Sequence, residues 1–301
     1  MNRKTFLKNS LFGTAGISLA LNNLSCDSMR RITILHTNDV HSHIEPFSKD
    51  HSEFPDKGGF ERRSTIINKI RKENQNTLLL DAGDIFQGTP YFNFYGGEIE
   101  FKLMSMLKYD AVTIGNHDFD NGIDGLNKQL PNATFDIISS NYDFSNTVLD
   151  SKINNYKIYN KSGIKIGVFG LGIELEGLVS KELYKETKYL DPIEIANDTA
   201  KKLKEIEKCD LVICLSHLGY KYEKLPNRIC DVNLAKQTKD IDLIIGGHTH
   251  TFMSEPLITY NKADEKVLIN QAGCFGLYLG RIDFLFDSNN NKIFNSNLLM
   301  I

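Results

Sequence analysis

Residues 110–122 read D-A-V-T-I-G-N-H-D-F-D-N-G and decide the fold. The apolar, β-branched run at 111–114 predicts a short buried strand that stops at a glycine. The ligand-type side chains Asn116, His117 and Asp118 follow at once. They occupy the place beyond a strand's carboxyl end where the active sites of open α/β sheets lie. Taken alone, these residues also fit a polar turn between a strand and a helix, because Asn, Asp and Gly are common turn residues.

Four further apolar runs end in the same way. Buried strands are predicted at 31–36, 77–80, 210–215 and 241–245. The ligand-type residues that follow them are Asp39 and His41, then Asp84, then His217, then His248 and His250. Six of the eight histidines lie in these loops when His43 is counted, so we expect a single site. The remaining two are interpreted as surface (His51) and as packing behind the site (His36).

Predicted helices alternate with these strands, and this order indicates an α/β fold. The helices are expected at 61–72, 97–108 and 191–206, and further strands at 136–139, 165–169, 267–270 and 280–286. Helical spacing places two sets of side chains on inward faces: Ile99, Leu103, Met106 and Leu107 in the second helix, and Ile195, Thr199, Leu203 and Ile206 in the third.

The composition favours a globular enzyme over a nucleic-acid-binding protein. Of 301 residues, 41% are hydrophobic and 24% are charged, and the net charge is −3. Residues 1–26 contain three basic residues and no acidic one, so the remainder holds 32 basic and 38 acidic residues, a net charge of −6. This acidic body argues against nucleic acid as a partner. The five cysteines are too few for a disulfide framework. Cys214 is expected to be buried, whereas Cys209 or Cys230 could form a bridge.

Residues 1–26 are interpreted as an export signal. Residues 3–8 resemble a twin-arginine signal in which Lys is the second basic residue, and an interrupted apolar stretch follows at 11–24. The sequence Leu-Ser-Cys ending at Cys26 resembles a lipoprotein cleavage box, which would place a lipid anchor on Cys26. The alternative is simple cleavage. The protein is therefore expected to be exported, as a periplasmic protein or a membrane-anchored lipoprotein.

The chemistry of the loop residues predicts a metal site. Mixed nitrogen and oxygen ligands suit Zn²⁺, Mn²⁺, Fe or Co, whereas a calcium site would use oxygen alone. Seven ligands would crowd one ion, but two ions that share one carboxylate would each receive four. Pairs of metal ions of this kind serve in-line displacement at phosphorus.

The motifs D-x-H, G-D-x-x-Q-G, G-N-H-[DE], a strand ending in S-H, and G-G-H-T-H resemble those of the calcineurin-like metallophosphoesterases. The stretches T-N-D-V-H-S-H, G-D-I-F-Q-G-T-P and G-N-H-D-F-D-N-G, with I-D-L-I-I-G-G-H-T-H-T-F, resemble the 5'-nucleotidase branch. The resemblance covers residues 31–286, and 287–301 are interpreted as a C-terminal tail. It implies a single domain folded as a four-layered α/β/β/α sandwich.

The resemblance also implies roles for the site residues. Two divalent metal ions, Zn or Mn, would be held by Asp39, His41, Asp84 and His250 and by Asp84, Asn116, His217 and His248, with Asp84 shared. His117 would be the catalytic histidine, and Asp120 the acid that orients it. We interpret Asp118 as a group that stabilises its loop.

The activity implied is that of a 5'-nucleotidase-type phosphomonoesterase in nucleotide catabolism, which attacks a phosphorylated small molecule with a metal-bridging hydroxide. Alternatives are a cyclic-nucleotide or other phosphodiesterase, a sulfur-oxidation hydrolase, and a non-catalytic subunit of a split nucleotidase. In the family a C-terminal domain recognises the base. We therefore expect a separately encoded specificity domain as partner, and weak discrimination among leaving groups by this chain. The aromatic residues after the second motif could offer a partial stacking platform: Phe86, Tyr91, Phe92, Phe94 and Tyr95.

Overall fold

Two six-stranded sheets, packed face to face and covered by helices, form the computed structural model of residues 29–225 and 228–301. The export signal and lipidation box predicted within residues 1–26 lie outside the described residues. Within the described ranges, no helix is both long enough and apolar enough to cross a membrane.

The first sheet is mixed, with four parallel strands that extend to one edge and two antiparallel strands at the other. Its strands are β1 (Arg30–Thr37), β2 (Thr77–Asp81), β3 (Ala111–Val112), β4 (Asp136–Ile137), β13 (Tyr278–Phe286) and β14 (Lys292–Met300). They lie in the order β14-β13-β1-β2-β3-β4. The pairs from β1 to β4 are parallel, and β13 and β14 are antiparallel additions. The carboxyl ends of β1, β2 and β3 therefore share one edge.

The second sheet repeats this plan. Its strands are β6 (Tyr156–Lys161), β7 (Ile164–Leu171), β9 (Leu211–Ser216), β10 (Leu243–Gly246), β11 (Leu257–Tyr260) and β12 (Lys266–Asn270). The order is β11-β12-β10-β9-β7-β6, with β7, β9, β10 and β12 parallel. A small antiparallel pair, β5 (Tyr142–Asp143) and β8 (Lys188–Tyr189), lies outside both sheets.

Helices cover the outer faces. They are α1 (Phe60–Glu73), α2 (Pro90–Tyr95), α3 (Glu98–Met106), α4 (Gly122–Gln129), α5 (Lys181–Tyr184), α6 (Pro192–Lys201) and α7 (Asp231–Gln237). Helix α6 continues as a π-helical turn, Lys202–Ile206. Its amino end is capped by Asp191, whose carboxylate accepts the backbone N–H groups of Ile193 and Glu194 at 2.8 and 3.0 Å.

Alternating side chains produce three apolar layers between the four structural layers. In β1, Ile34 packs between the two sheets, whereas Leu35 packs under the helices of the first sheet. In β9, Ile213 packs between the sheets and Val212 under the helices of the second. This is the period-two pattern of a strand that is buried on both faces. The predicted four-layered α/β/β/α sandwich is confirmed.

Several details differ from the sequence-based expectation. The helix predicted at 97–108 is preceded by a separate short helix, so this region holds α2 and α3, separated by two glycines with positive φ. Met106 is 72% exposed and Ile206 is 71% exposed, so both inward assignments were wrong. The inward residues are Phe101, Met104 and Leu107 in one helix and Ala196, Ala200 and Leu203 in the other. The π turn shifts the helical phase, which rotates Ile206 outward.

The segment 287–301, interpreted as a tail, instead contains the edge strand β14. It pairs along its whole length with β13. Phe294 packs against the layer between the sheets, and Leu299 against the layer under the helices. The strand was missed because its exposed positions and its asparagines weaken the apolar pattern. Neither Cys209 nor Cys230, for which a bridge was considered, forms one within the described residues, where all four cysteines are free and buried, including Cys214.

His36 illustrates how tightly the residues of β1 and β13 are packed. It faces Gly280 across the two strands, and neither ring nitrogen has a hydrogen-bond partner among the described residues. Burial lowers the pKa of His36 to about 4, so the ring is neutral. A methyl group added at Gly280 would lie 2.0 Å from Nε2 of the ring. A glycine at this position is therefore required by the histidine.

We predict that Gly280→Ala lowers the free energy of unfolding by about 1–3 kcal/mol, because overpacking forces the ring or the strand to move. Urea denaturation measures the loss. The double variant His36→Ala with Gly280→Ala removes the clash. Its loss of unfolding free energy should therefore be smaller than the sum of the losses in the two single variants. Additive losses of unfolding free energy would show that the His36 ring and a methyl group at position 280 do not compete for space.

Candidate metal centre

Five loops meet above the carboxyl ends of β1, β2, β3, β9 and β10. The loops after β1, β2 and β3 carry Asp39 and His41, Asp84, and Asn116 and His117; those after β9 and β10 carry His217, and His248 and His250. Both sheets contribute, so stacking them is what assembles the group. The structure brings all seven residues predicted as ligands to this one place.

A first group of ligand-type atoms comprises Asp39, His41 and His250. The Nε2 atoms of the two histidines are 3.0 Å apart, and Nε2 of His250 is 3.4 Å from Oδ1 of Asp39. Two ring nitrogens with no proton to share would repel each other at this distance. Their spacing is that of two ligands on one ion with bonds of about 2.0–2.1 Å.

A second group comprises Asp84, His217 and His248. Nε2 of His217 lies 3.1 Å from Oδ2 of Asp84. Asn116 joins the group through Oδ1, which is 2.9 Å from Nδ1 of His248. Burial, with the neighbouring His217 next in size, lowers the pKa of His248 to about 4. A neutral imidazole is the form that binds a metal ion.

Asp84 lies between the two groups. Its Oδ2 atom is 3.1 Å from Nε2 of His217 and 3.8 Å from Nε2 of His41. Although burial alone would raise the pKa of Asp84, the charges of His217, His41 and His117 hold it below its usual range. Asp84 is thus an ionised, buried carboxylate that faces both sets of nitrogens.

His217 provides the test of whether these residues fit a metal ion. Its Nδ1 donates to the carbonyl oxygen of Ala82 at 2.7 Å, which leaves Nε2 as the side with the lone pair. That Nε2 is buried and lacks the alignment of a hydrogen bond, although Oδ2 of Asp84 is close. Burial disfavours charge on the ring, but Asp84 and then Asp39 outweigh it and raise the pKa of His217 to about 10. The two carboxylates therefore stabilise a positive charge beside Nε2 of His217, and a divalent cation fits this position.

His117 and Asp120 lie beside the ligands and are paired with each other. Nδ1 of His117 is 2.8 Å from Oδ2 of Asp120. This hydrogen bond is the largest of the effects that raise the pKa of His117. The His117 ring lies 5.3 Å from the ring of His41, centroid to centroid. It is half-buried, so it faces the open side of the centre.

The backbone of the loops is held in an uncommon conformation. Five of the seven predicted ligands have positive φ: Asp39 (49°), His41 (49°), Asp84 (55°), His248 (69°) and His250 (53°). Such residues cost of order 1–3 kcal/mol each and persist only where surrounding contacts fix them. The contacts include N–H of Asp39 to the Gly83 carbonyl at 2.9 Å and N–H of His248 to the Asp39 carboxylate at 3.0 Å.

Glycine is needed at the two motif positions where the loops after β2 and β3 touch. A Cβ atom at Gly115 would lie 2.2 Å from Oδ1 of Asp84 and 2.5 Å from its backbone nitrogen. At Gly83, which has a φ of +90°, it would lie 2.6 Å from the nitrogen of Gly115. The glycines therefore allow the close approach that places Asp84 beside Asn116 and His117.

The sequence analysis missed several residues that hold the ligands in place. Asn38 donates to Oδ2 of Asp39 and to the Gly273 carbonyl, both at 2.6 Å. Gln271 donates to the Gly247 carbonyl at 2.8 Å and accepts from the Thr251 N–H at 3.0 Å, which fixes the loop of His248 and His250. The available signal was a polar residue at the end of an apolar run, adjacent to ligand-type residues.

Comparison with known proteins agrees with this geometry. A family model described as calcineurin-like phosphoesterase matches residues 32–252. The trifunctional nucleotide phosphoesterase protein YfkN of Bacillus subtilis is 35% identical over 293 residues, covering 87% of this chain and 18% of that protein. The snake venom 5'-nucleotidase of Crotalus adamanteus is 34% identical over 286 residues, covering 88% and 47%.

Among solved structures, the 5'-nucleotidase precursor from Thermus thermophilus superposes with a TM-score of 0.81 at 30% identity. The match covers 90% of this chain and 55% of that one. This chain thus spans about half the length of that protein and of the venom enzyme, and less of the Bacillus protein.

The shared position of Asp84 predicts that Asp84→Asn weakens both halves of the centre at once. Elemental analysis after reconstitution should find about two metal ions per wild-type chain, and fewer than one in the variant. Asp120→Asn makes the same chemical change in a residue that contacts His117 and should leave the metal content unchanged. A wild type with one ion or none, or an Asp84→Asn variant that keeps both, would contradict the shared-ligand geometry.

Proposed function

The chain belongs to the calcineurin-like phosphoesterase family and is a metal-dependent phosphoesterase, and from this premise we propose that it is a 5'-nucleotidase-type phosphomonoesterase. The observation that carries the proposal is a pair of ligand groups, with the Asp84 carboxylate 3.1 Å from Nε2 of His217 in its own group and 3.8 Å from Nε2 of His41 in the other. The names of the relatives, which include 5'-nucleotidases, favour a nucleotide as the substrate.

We assign the ligands as two overlapping sets. Asp39, His41, Asp84 and His250 would hold one divalent ion, and Asp84, Asn116, His217 and His248 the other. Zn or Mn suits these nitrogen and oxygen donors. When bound, the pair supplies Lewis-acid activation of the phosphoryl group and of a water nucleophile. The buried loops hold the ligands rigidly, so little reorganisation is needed when substrate binds.

His117 is assigned to the reaction and not to a metal ion. Its Nδ1 is occupied by Asp120, so Nε2 is left to donate towards the substrate. In the charged form that Asp120 favours, the ring stabilises charge on a phosphoryl oxygen or gives a proton to the leaving oxygen. Asp120 acts by holding the ring in this orientation.

We predict that His117→Asn lowers kcat by 10²–10⁴-fold, about 3–5 kcal/mol, while the metal content stays at the wild-type level. The measurement is hydrolysis of AMP and of p-nitrophenyl phosphate, with elemental analysis of the same samples. His51→Asn replaces a histidine of the loop after β1 that belongs to neither ligand group and does not pair with His117, and it should hydrolyse both substrates as the wild type does. Loss of metal from His117→Asn would show that His117 is a ligand.

The same assay, extended to other esters, tests the alternatives. The name of the Bacillus relative, a trifunctional nucleotide phosphoesterase, keeps phosphodiesters open as a second substrate class. Bis(p-nitrophenyl) phosphate and a cyclic nucleotide are therefore included. A wild type that binds metal and hydrolyses neither monoesters nor diesters would overturn the proposed function and leave the non-catalytic subunit as the better interpretation. The complete set of ligands argues against that alternative.

We further propose that a second domain contributes to base recognition. The support is that the relatives are about twice as long as the region they share with this chain, or longer. Such a domain would act on the leaving group and leave the metal centre unchanged. Comparing kcat/KM for several nucleotides with and without a candidate domain tests this, and unchanged ratios would count against it.

We also propose, from sequence alone, that residues 1–25 are removed during export and that Cys26 becomes the lipidated first residue of a periplasmic-side lipoprotein. The basic start, the apolar stretch and the Leu-Ser-Cys box support this. Mass spectrometry of the protein from its native host should find an N-terminus at position 26 with added lipid mass. An intact Met1 would refute export, and an unmodified cleaved N-terminus would refute lipidation alone.

A further inference from the structure

A cavity of about 650 Å³ opens between the loop after β7 and the loop after β9, and the latter begins with the ligand-type residue His217. Its walls are the loop after β7, at 173–178, residue Tyr189 of β8, and residues on the loop after β9. Its lining residues include Glu174, Leu178, Tyr189, Leu225 and Arg228. Its volume is that of a pocket for a small organic molecule.

A second cavity of about 300 Å³ adjoins the first. Glu174, Glu176 and Tyr189 line both. The hydroxyl groups of Tyr189 and Thr187 are buried, and neither has a hydrogen-bond partner within the described ranges. A buried hydroxyl without a partner loses its hydrogen bonds to water and gains none in return. Two of them on one cavity point to a ligand that supplies polar atoms.

The first wall connects the cavity to the ligands of the metal centre. The guanidinium Cζ of Arg228 lies 4.6 Å from the centre of the Tyr222 ring, whose hydroxyl donates to the Leu218 carbonyl at 2.8 Å. Leu218 directly follows His217. This wall of the cavity is therefore joined, through Tyr222, to the segment that begins at His217.

The opposite wall connects the cavity to the catalytic turn. The Phe119 ring is in edge contact with Tyr142 at 5.7 Å, and Tyr142 lies 6.3 Å from Tyr189, centroid to centroid. Phe119 stands between Asp118 and Asp120 in the turn that carries His117. The Tyr142 hydroxyl donates to the Ile173 carbonyl in the cavity wall. A second wall of the cavity is thus joined, through Tyr142 and Phe119, to the turn that carries His117.

The lining combines the chemistry of two halves of a nucleoside. Glu174 and the two free hydroxyls can pair with sugar hydroxyls. Leu178 and Leu225 are 44% and 54% exposed at the cavity, so they offer apolar surface for the faces of a base. The Arg228 guanidinium, stacked on the Tyr222 ring, offers N–H donors for polar atoms of the sugar or the base.

We propose that these adjoining cavities bind the nucleoside of a nucleotide whose phosphoryl group lies at the metal centre. The nucleoside assignment rests on the proposed nucleotidase function, but the site itself rests on the geometry of this chain. It revises the expectation of weak discrimination, which assumed that the specificity domain alone contacts the leaving group. Of the aromatic residues suggested for stacking, Phe86 and Phe92 are buried in the core, and Tyr91, Phe94 and Tyr95 line another cleft.

A binding experiment that needs no catalysis tests the site. The chain contains no tryptophan, so Leu178→Trp places a single tryptophan, whose emission can be followed, at the cavity. Ile206→Trp creates one at another exposed apolar position, on the π turn behind the second sheet. Adenosine should change the emission of the first variant in a saturable way and leave that of the second unchanged. No saturable change in Leu178→Trp, or equal changes in both, would overturn the proposal.

Combining Tyr189→Phe with Leu178→Trp removes one hydroxyl and keeps the ring. Adenosine binding should weaken by about threefold to tenfold, the effect of one hydrogen bond. Tyr260→Phe, on the far edge strand β11, is the matched control and should have no effect. Equal affinity with and without the Tyr189 hydroxyl would remove that residue from the proposed site.

Kinetics distinguish a leaving-group site from a role in the metal centre. Arg228→Ala should lower kcat/KM for AMP at least tenfold more than for p-nitrophenyl phosphate, and Arg228→Lys should restore part of the difference. Equal losses on both substrates would show that Arg228 serves the centre and would overturn its assignment here. A wild type that binds adenosine but hydrolyses neither ester would refute the proposed function and leave the binding site standing.

Discussion

The Asp118 carboxylate holds together the two loops on which the centre depends. Oδ1 accepts the N–H groups of Ile85 and Phe86, and Oδ2 accepts those of Asp84 and Gly115, at 2.8–3.1 Å. Burial, with Asp84 nearby, raises the pKa of Asp118 to about 7, whereas the N–H groups of Gly115 and Phe86 act in the opposite direction by stabilising the ionised carboxylate. The loops after β2 and β3 are thereby fixed to each other, and Asp84 is held at the middle of the site.

A second constraint is that the centre exists only where the two sheets are stacked. Asp39, His41 and Asp84 come from the first sheet, whereas His217 and His248 come from the second. The backbone N–H of His248 donates to the Asp39 carboxylate, which ties the loop after β10 to the loop after β1. The apolar layer between the sheets sets the distance between these ligands. A packing change such as one at Gly280 can therefore reach the site without touching a ligand.

The sequence predicted the strands and the ligands well because both carry strong local signals. Strands buried on both faces appear as unbroken apolar runs, and ligands cluster directly after them. Features set by tertiary packing were not recoverable. The exposure of Ile206 depends on a π turn, and the pairing of β14 depends on an edge offered by β13. Asn38 was missed because its one signal, a polar residue beside ligand-type residues at the end of an apolar run, does not indicate that it orients a neighbour.

The cavity and the metal centre obey different constraints, and this bears on how specificity arises. The ligand loops are buried, strained at five positions and locked to one another, so substitutions there are costly. In the loops that line the cavity, by contrast, the side chains of Glu174, Leu178 and Leu225 are exposed. Exposed loops on a rigid scaffold can change their side chains without loss of the fold. We therefore expect phosphoryl chemistry to be fixed by the centre and leaving-group preference to be set by the residues around Tyr189.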